Sequence, residues 1–265
     1  MKAANRVAVK SFALLREYYS VFLVLCLWEL VAHSGMVREA LFPPVSIIFK
    51  VFVERFLDGY LLKHMISSLL RAVAGLSLGV VVGVVLGLAM ARSRFVNWAF
   101  EMLVAVGFPV PKVALIPLFL VWFGIGHQAK IYLVAYACMF PMLISTFNGA
   151  RAVPRPLLWS SRSLGTSERK LLYKVIFPAS LPFIFNGLRV ALPTALIIVF
   201  LSEMVAGGGG LGFVLRFAIG YFETPTEFAG LFTIVLLGYG LDRILLYVRR
   251  MALQWHAEET HYHAT

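Results

Sequence analysis

Residues 72–91 run for twenty positions without a charge before meeting Arg92 and Arg94. At about 1.5 Å per helical residue such a run reaches about 30 Å, the thickness of a bilayer's hydrocarbon core. Gly75, Gly79, Gly83 and Gly87 recur at every fourth position within it. That spacing makes a smooth stripe on one helical face, where a second helix can approach backbone to backbone. The rest of the chain agrees: 60% of its 265 residues are hydrophobic and only 14% are charged. These values exclude a soluble globular domain and predict an all-α polytopic membrane protein. A net charge of +11 then reads as lysine and arginine held in cytoplasmic loops, not as a nucleic-acid footprint.

Six spans are expected, at about 18–36, 72–91, 96–123, 129–150, 183–205 and 228–248. They form one transmembrane domain over 18–250, between a basic cytoplasmic segment, 1–17, and a cytoplasmic tail, 251–265. Arg92, Arg94, Arg151, Arg155, Arg249 and Arg250 place one set of loops and both termini on the cytoplasmic side. Trp28 and Glu29 leave the first span imperfectly apolar. Cys26 and Cys138 both fall in apolar runs, so neither a disulfide nor a metal site is indicated.

Prolines and glycines punctuate this plan. Pro43-Pro44 precedes an amphipathic helix over 45–57, where apolar residues alternate with Lys50, Glu54 and Arg55 at helical spacing. Pro109 and Pro111 interrupt the third span beside Lys112, and the carbonyls they free need protein or a water-filled cavity to satisfy them. A lysine at that depth either lines a translocation pathway or pairs structurally, with Glu101 or Glu203. Pro109, Lys112 and Glu203 are therefore the candidate pathway residues. The run Gly207-Gly208-Gly209-Gly210-Leu211-Gly212 reads as an outer turn, followed by a short surface helix over 211–221.

The longest polar passage inside the oily chain is the loop 151–182. It carries Trp159-Ser160-Ser161-Arg162-Ser163-Leu164-Gly165, nine residues, then Val175-Ile176-Phe177-Pro178. A helix, a glycine turn and a second helix fit this pattern, with Gly165 free to take φ > 0. A branched side chain at Gly165 is expected to clash at the turn. The passage resembles the signature loop of bacterial ABC importer permeases: Glu-Ala-Ala, three residues, Gly, nine residues, Ile-x-Leu-Pro. Here Trp159-Ser160-Ser161 stands in place of Glu-Ala-Ala. Trp122-Phe123-Gly124-Ile125-Gly126 and Glu203-Met204 before the glycine run are similar to the nitrate, taurine and aliphatic sulfonate branch.

The resemblance implies a type I ABC importer permease fold and alternating access. It implies that Leu164, Gly165 and Thr166 form the coupling turn, with Trp159, Ser160, Ser161 and Arg162 in a groove on the ATPase. The implied partners are a second permease copy in a homodimer, two cytoplasmic ATPase subunits and a periplasmic or lipid-anchored binding protein, all in the bacterial inner membrane. No nucleic acid is implied. The chain has no Gly-x-x-x-x-Gly-Lys-Ser/Thr, so ATP and Mg are expected on the partner ATPase and no cofactor on this chain. No catalytic constellation is present. The competing reading is a channel or ion-gradient-driven carrier, for which the break at Pro109–Lys112 is the one fitting feature.

Overall fold

The computed structural model describes residues 19–38 and 40–254; the basic segment 1–17 and the tail histidines His256, His261 and His263 lie outside them. The described residues form helices joined by short turns, with no strand among them. In chain order these are α1 (Tyr19–His33), α2 (Val45–Leu57), α3 (Tyr60–Arg92), α4 (Arg94–Gly107), a 3-10 turn (Lys112–Leu115) and α5 (Ile116–Phe123). There follow α6 (His127–Arg151), α7 (Arg155–Ser163), α8 (Glu168–Leu171), a π-helical turn (Leu172–Ile176), α9 (Phe177–Ala206), α10 (Leu211–Gly220) and α11 (Thr224–Ala252).

Four continuous helical runs are long and apolar enough to cross a membrane: α3, α6, Glu168–Ala206 and α11. The expected third span is two helices, α4 and Lys112–Phe123, bent by 94° at the proline break. The first, α1, is apolar but shorter than eighteen residues among those described. The second begins at Tyr60, not at 72, because the helix continues through Arg71. Its preceding polar segment keeps the same helical geometry once Arg71 and Ser68 are buried with partners.

Two compact units are present. The first holds residues 19–62 and 214–233. Here Trp28 stacks on Phe42 at 4.6 Å, meets Phe228 edge-on at 5.3 Å and donates its indole N–H to the Pro43 carbonyl at 3.0 Å. The Glu29 carboxylate accepts from the Ser46 hydroxyl at 2.6 Å and the Ser46 N–H at 3.2 Å. It thus caps α2, whose own N-cap residue, Pro44, has no capping side chain. The two residues that spoil the apolar character of α1 are the ones that fix the start of α2.

The second unit holds residues 63–213 and 234–254. The glycine stripe of α3 lies directly on α6. A Cβ at Gly79 would sit 2.7 Å from the Ala135 carbonyl, and one at Gly83 would sit 2.6 Å from Met142 Cβ and 2.7 Å from the Met139 carbonyl. On its other side α6 meets α9, where Gly149 faces Phe183 and Gly187 faces Ser145. Small residues therefore bring backbones together on both flanks of α6, the packing mode open to helices that cannot use water exclusion. Gly83→Ile is expected to cost about 1–3 kcal/mol through overpacking, whereas Gly240→Ala, which meets no atom within 4 Å, should stay within about 0.5 kcal/mol of the parent. Thermal unfolding of the two variants in detergent checks this pair, and equal melting temperatures would refute the close approach.

The expected surface helix over 211–221 is α10, but Leu211, Val214, Leu215 and Ala218 are buried. Within the first unit Leu215 packs on Gly230, 3.2 Å from where its Cβ would be. One face of α10 thus belongs to the interior.

Candidate functional site

Two constructions dominate the second unit. The first is the turn after α7. Pro154 and Pro156 start that helix, since a first-turn proline loses no helical hydrogen bond. At its end Gly165 takes φ +75°. The Gly165 N–H donates to Arg162 O at 2.9 Å and the Thr166 N–H to Ser161 O at 3.2 Å. This is the pairing of a Schellman motif, which satisfies helix-end carbonyls and reverses the chain. Leu164 stands at the tip, 83% exposed, and Trp159 is 60% exposed on the helix behind it. Ser160 and Arg162 are also exposed, and the Ser161 hydroxyl turns back to Leu157 O at 2.8 Å.

Behind this apolar tip the turn is braced by ion pairs. The Glu168 carboxylate accepts from Arg162 at 2.9 Å and from Arg92 at the end of α3. Beneath it Val153, Leu171 and Ile176 form a small buried cluster packed by Leu88 and Leu158. The π-helical turn Leu172–Ile176 follows, closing on an N–H of Phe177 that reaches Leu172 O. Pro178 next to it has no N–H to offer Lys174 O, so the regular α register cannot continue there. The turn at Gly165 is thereby joined to α9 through one non-α segment.

The second construction is a buried charge node where α3, α6, α9 and the glycine run converge. Glu203 (fully buried) accepts from Arg71 Nη1 at 2.6 Å, from the Ser68 hydroxyl at 2.7 Å and from the Gly212 N–H at 3.1 Å. Arg71 also donates to the carbonyls of Gly209 at 2.8 Å and Gly208 at 3.0 Å, and to His127 Nδ1 at 3.1 Å. Lys130, equally buried, donates to Gly207 O. Gly210 N–H donates to His64 Nδ1 at 2.9 Å, and Leu211 N–H to the Ser68 hydroxyl at 2.8 Å. Two cations thus face one carboxylate, and three glycine carbonyls supply the remaining negative ends.

Gly207, Gly208, Gly209 and Gly210 all have positive φ, between 70° and 108°. A Cβ at Gly210 would fall 2.1 Å from the Glu203 carboxyl carbon. The run is glycine because its backbone must wrap the two cations and touch the carboxylate. It is a turn, as its composition implies, but one pinned at every residue by side chains from three helices.

The remaining pathway candidates lie elsewhere. Pro109 sits at the bend, and Pro111 lacks the N–H that would otherwise reach Gly107 O. Lys112 Nζ takes that place, donating to Gly107 O at 3.1 Å and to Phe108 O, 4.8 Å from the Phe140 ring centroid. It caps α4 and makes no ion pair with Glu101 or Glu203, the partners its position suggests. Sequence reasoning missed Arg71, Ser68 and Lys130. A signal for Arg71 exists: it lies four residues before Gly75, in register with the glycine stripe.

Residues 79–252 match the family described as the binding-protein-dependent transport system inner membrane component. The taurine transport system permease protein TauC of Escherichia coli is 30% identical over 240 residues, which cover 89% of this chain and 87% of that protein. A putative ABC transporter permease protein of Methanocaldococcus jannaschii is 35% identical over 169 residues, and the match spans 63% of each chain. In structure the chain is similar to a chain of the MetNI methionine ABC transporter, with a TM-score of 0.61 and 22% identity over 73% of this chain and 96% of that one. That likeness gives the fold, that of a type I ABC importer permease. The family match takes in the turn at Gly165, Glu203 and the C-terminal part of α3 from Gly79 onward, and on it the chain belongs to the family of binding-protein-dependent transport system inner membrane components.

Proposed function

We propose that this chain is the membrane permease subunit of an ATP-driven importer and works by alternating access. It forms a homodimer in the bacterial inner membrane, with both termini cytoplasmic. Two separate ATPase subunits bind ATP and Mg, and a periplasmic or lipid-anchored binding protein delivers the solute. The observation that carries this reading is the turn at Gly165: an ion-paired helix end that presents the exposed Leu164 and Trp159, within the stretch that matches the family. An apolar tip on a braced base is suited to seating in a groove of another protein and passing displacement inward. The π-helical turn between it and α9 gives a defined place for that displacement to bend.

The substrate is a small anion of the sulfonate, taurine, nitrate or bicarbonate type, a reading supported by relatives named for taurine and aliphatic sulfonates. Reconstitution tests the assignment. The chain in liposomes with its ATPase and binding protein should take up taurine or an alkylsulfonate only with ATP inside the ATPase compartment. The chain alone should neither transport nor hydrolyse ATP. Uptake by the lone chain under an ion gradient would overturn the reading.

A further inference from the structure

A cavity of about 360 Å³ lies where α3 ends, α4 begins and α6 ends, on the side of the helices that carries the coupling turn. Arg92, Arg94, Arg151, Asn97 and Phe147 line it, and no carboxylate does. The charges are poorly answered. Arg92 shares the single carboxylate of Glu168 with Arg162. Arg94 has no acidic partner among the described residues, and Arg151 lies over the Phe147 ring at 5.3 Å in place of an ion pair. The first turn of α4, which carries Arg94, contains no acidic residue, although the N-terminal end of a helix favours negative charge.

The neutral wall leaves these charges unanswered. Asn97 donates its amide N–H to Glu101 at 3.0 Å, and its Oδ1 is buried. The occupant should therefore bring an anion. Beside the cavity, Phe95 and Trp98 on α4 are 74% and 77% exposed. In a membrane protein an exposed tryptophan next to arginines marks the headgroup level, so the cavity opens where phospholipid headgroups are the most concentrated anions.

We infer that this cavity is a binding site for the headgroup of an anionic phospholipid of the phosphatidylglycerol type. The phosphate sits among Arg92, Arg94 and Arg151. Basic pockets between membrane helices hold such headgroups by charge and hydrogen bonding together. The site adjoins the Arg92–Glu168–Arg162 bridge, so an occupied cavity draws Arg92 partly away from Glu168 and ties the coupling turn to the lipid around it. This inference does not depend on which solute is carried.

The full chain, purified in mild detergent, is titrated with phosphatidylglycerol and with phosphatidylcholine, and bound lipid is read by native mass spectrometry. The wild type should bind phosphatidylglycerol selectively and keep it against millimolar inorganic phosphate. Arg94→Gln with Arg151→Gln should weaken it by about five-fold for each arginine removed, while Arg94→Lys with Arg151→Lys, which keeps the charge, should lose less. If the glutamine variant does not fold, the wild-type titration and the lysine variant decide. Equal binding of the two lipids, or displacement by inorganic phosphate, would overturn the lipid assignment. Unchanged lipid binding with loss of ATPase co-purification would instead give the cavity to an acidic surface of a protein partner.

Discussion

Arg71→Ala is expected to destabilise the chain by about 3–5 kcal/mol, because it leaves a buried carboxylate without its counter-charge. Glu203 would keep the Ser68 hydroxyl and the Gly212 N–H, but no cation within the 2.6 Å contact that Arg71 makes. The carbonyls of Gly208 and Gly209 would lose their donor at the same time. The glycine turn then has only Lys130, His64 and Ser68 to hold it. Arg71→Lys should fall between parent and alanine, since an ammonium cannot reach the carboxylate, two carbonyls and His127 with one planar fork. Arg71→Met combined with Glu203→Gln should recover part of the lost stability, because the carboxylate no longer stands without Arg71, although the buried Lys130 then loses the one carboxylate it faces. Thermal unfolding and uptake of the singles and the double form a cycle. Strictly additive losses would show that the two side chains are not coupled.

Gly165→Val carries the second large effect, on transport and not on folding. The sequence suggested a clash at this turn, but a Cβ at Gly165 meets nothing within 4 Å. The cost lies in the backbone: φ +75° is a left-handed conformation that costs an L-residue about 1–2 kcal/mol, and a β-branched one more. The turn would relax to negative φ and release the bonds from Gly165 N–H and Thr166 N–H. Leu164 would leave its place at the tip. The chain should still insert and pair with its ATPase weakly, yet lose most ATP-driven uptake. Gly165→Asn should retain far more, since asparagine tolerates this region. Equal uptake by the two variants would show that the turn's geometry is not what passes force.

The sequence made some of this legible and hid the rest for physical reasons. Helix α2 was readable to the residue from Pro44 and an amphipathic pattern, and the Gly165 turn from one glycine at a helix end. The charge node was hidden because spans are found as uncharged runs. An uncharged run starts the second span after Arg71 and so leaves that cation off its helix, while Lys130, inside the fourth span at its end, carries no mark that sets it apart. Their partners lie far away in the chain: Arg71 and Glu203 are separated by 132 residues. Lys112 illustrates a different gap. Its depth predicted a partner, and the partner is the backbone that Pro111 leaves unpaired, not a carboxylate.

On the proposed function, the tip at Leu164 meets an ATPase on the cytoplasmic side. A single cysteine placed there tests it most directly, as Leu164→Cys in a Cys26→Ser background, with Cys138 left buried. A membrane-impermeant maleimide should label this cysteine in inside-out vesicles stripped of ATPase and fail to label it in intact cells. Adding back the ATPase should block the label, and a bifunctional reagent should then join the two chains. Labelling from outside the cell, or labelling that the ATPase does not block, would contradict the account.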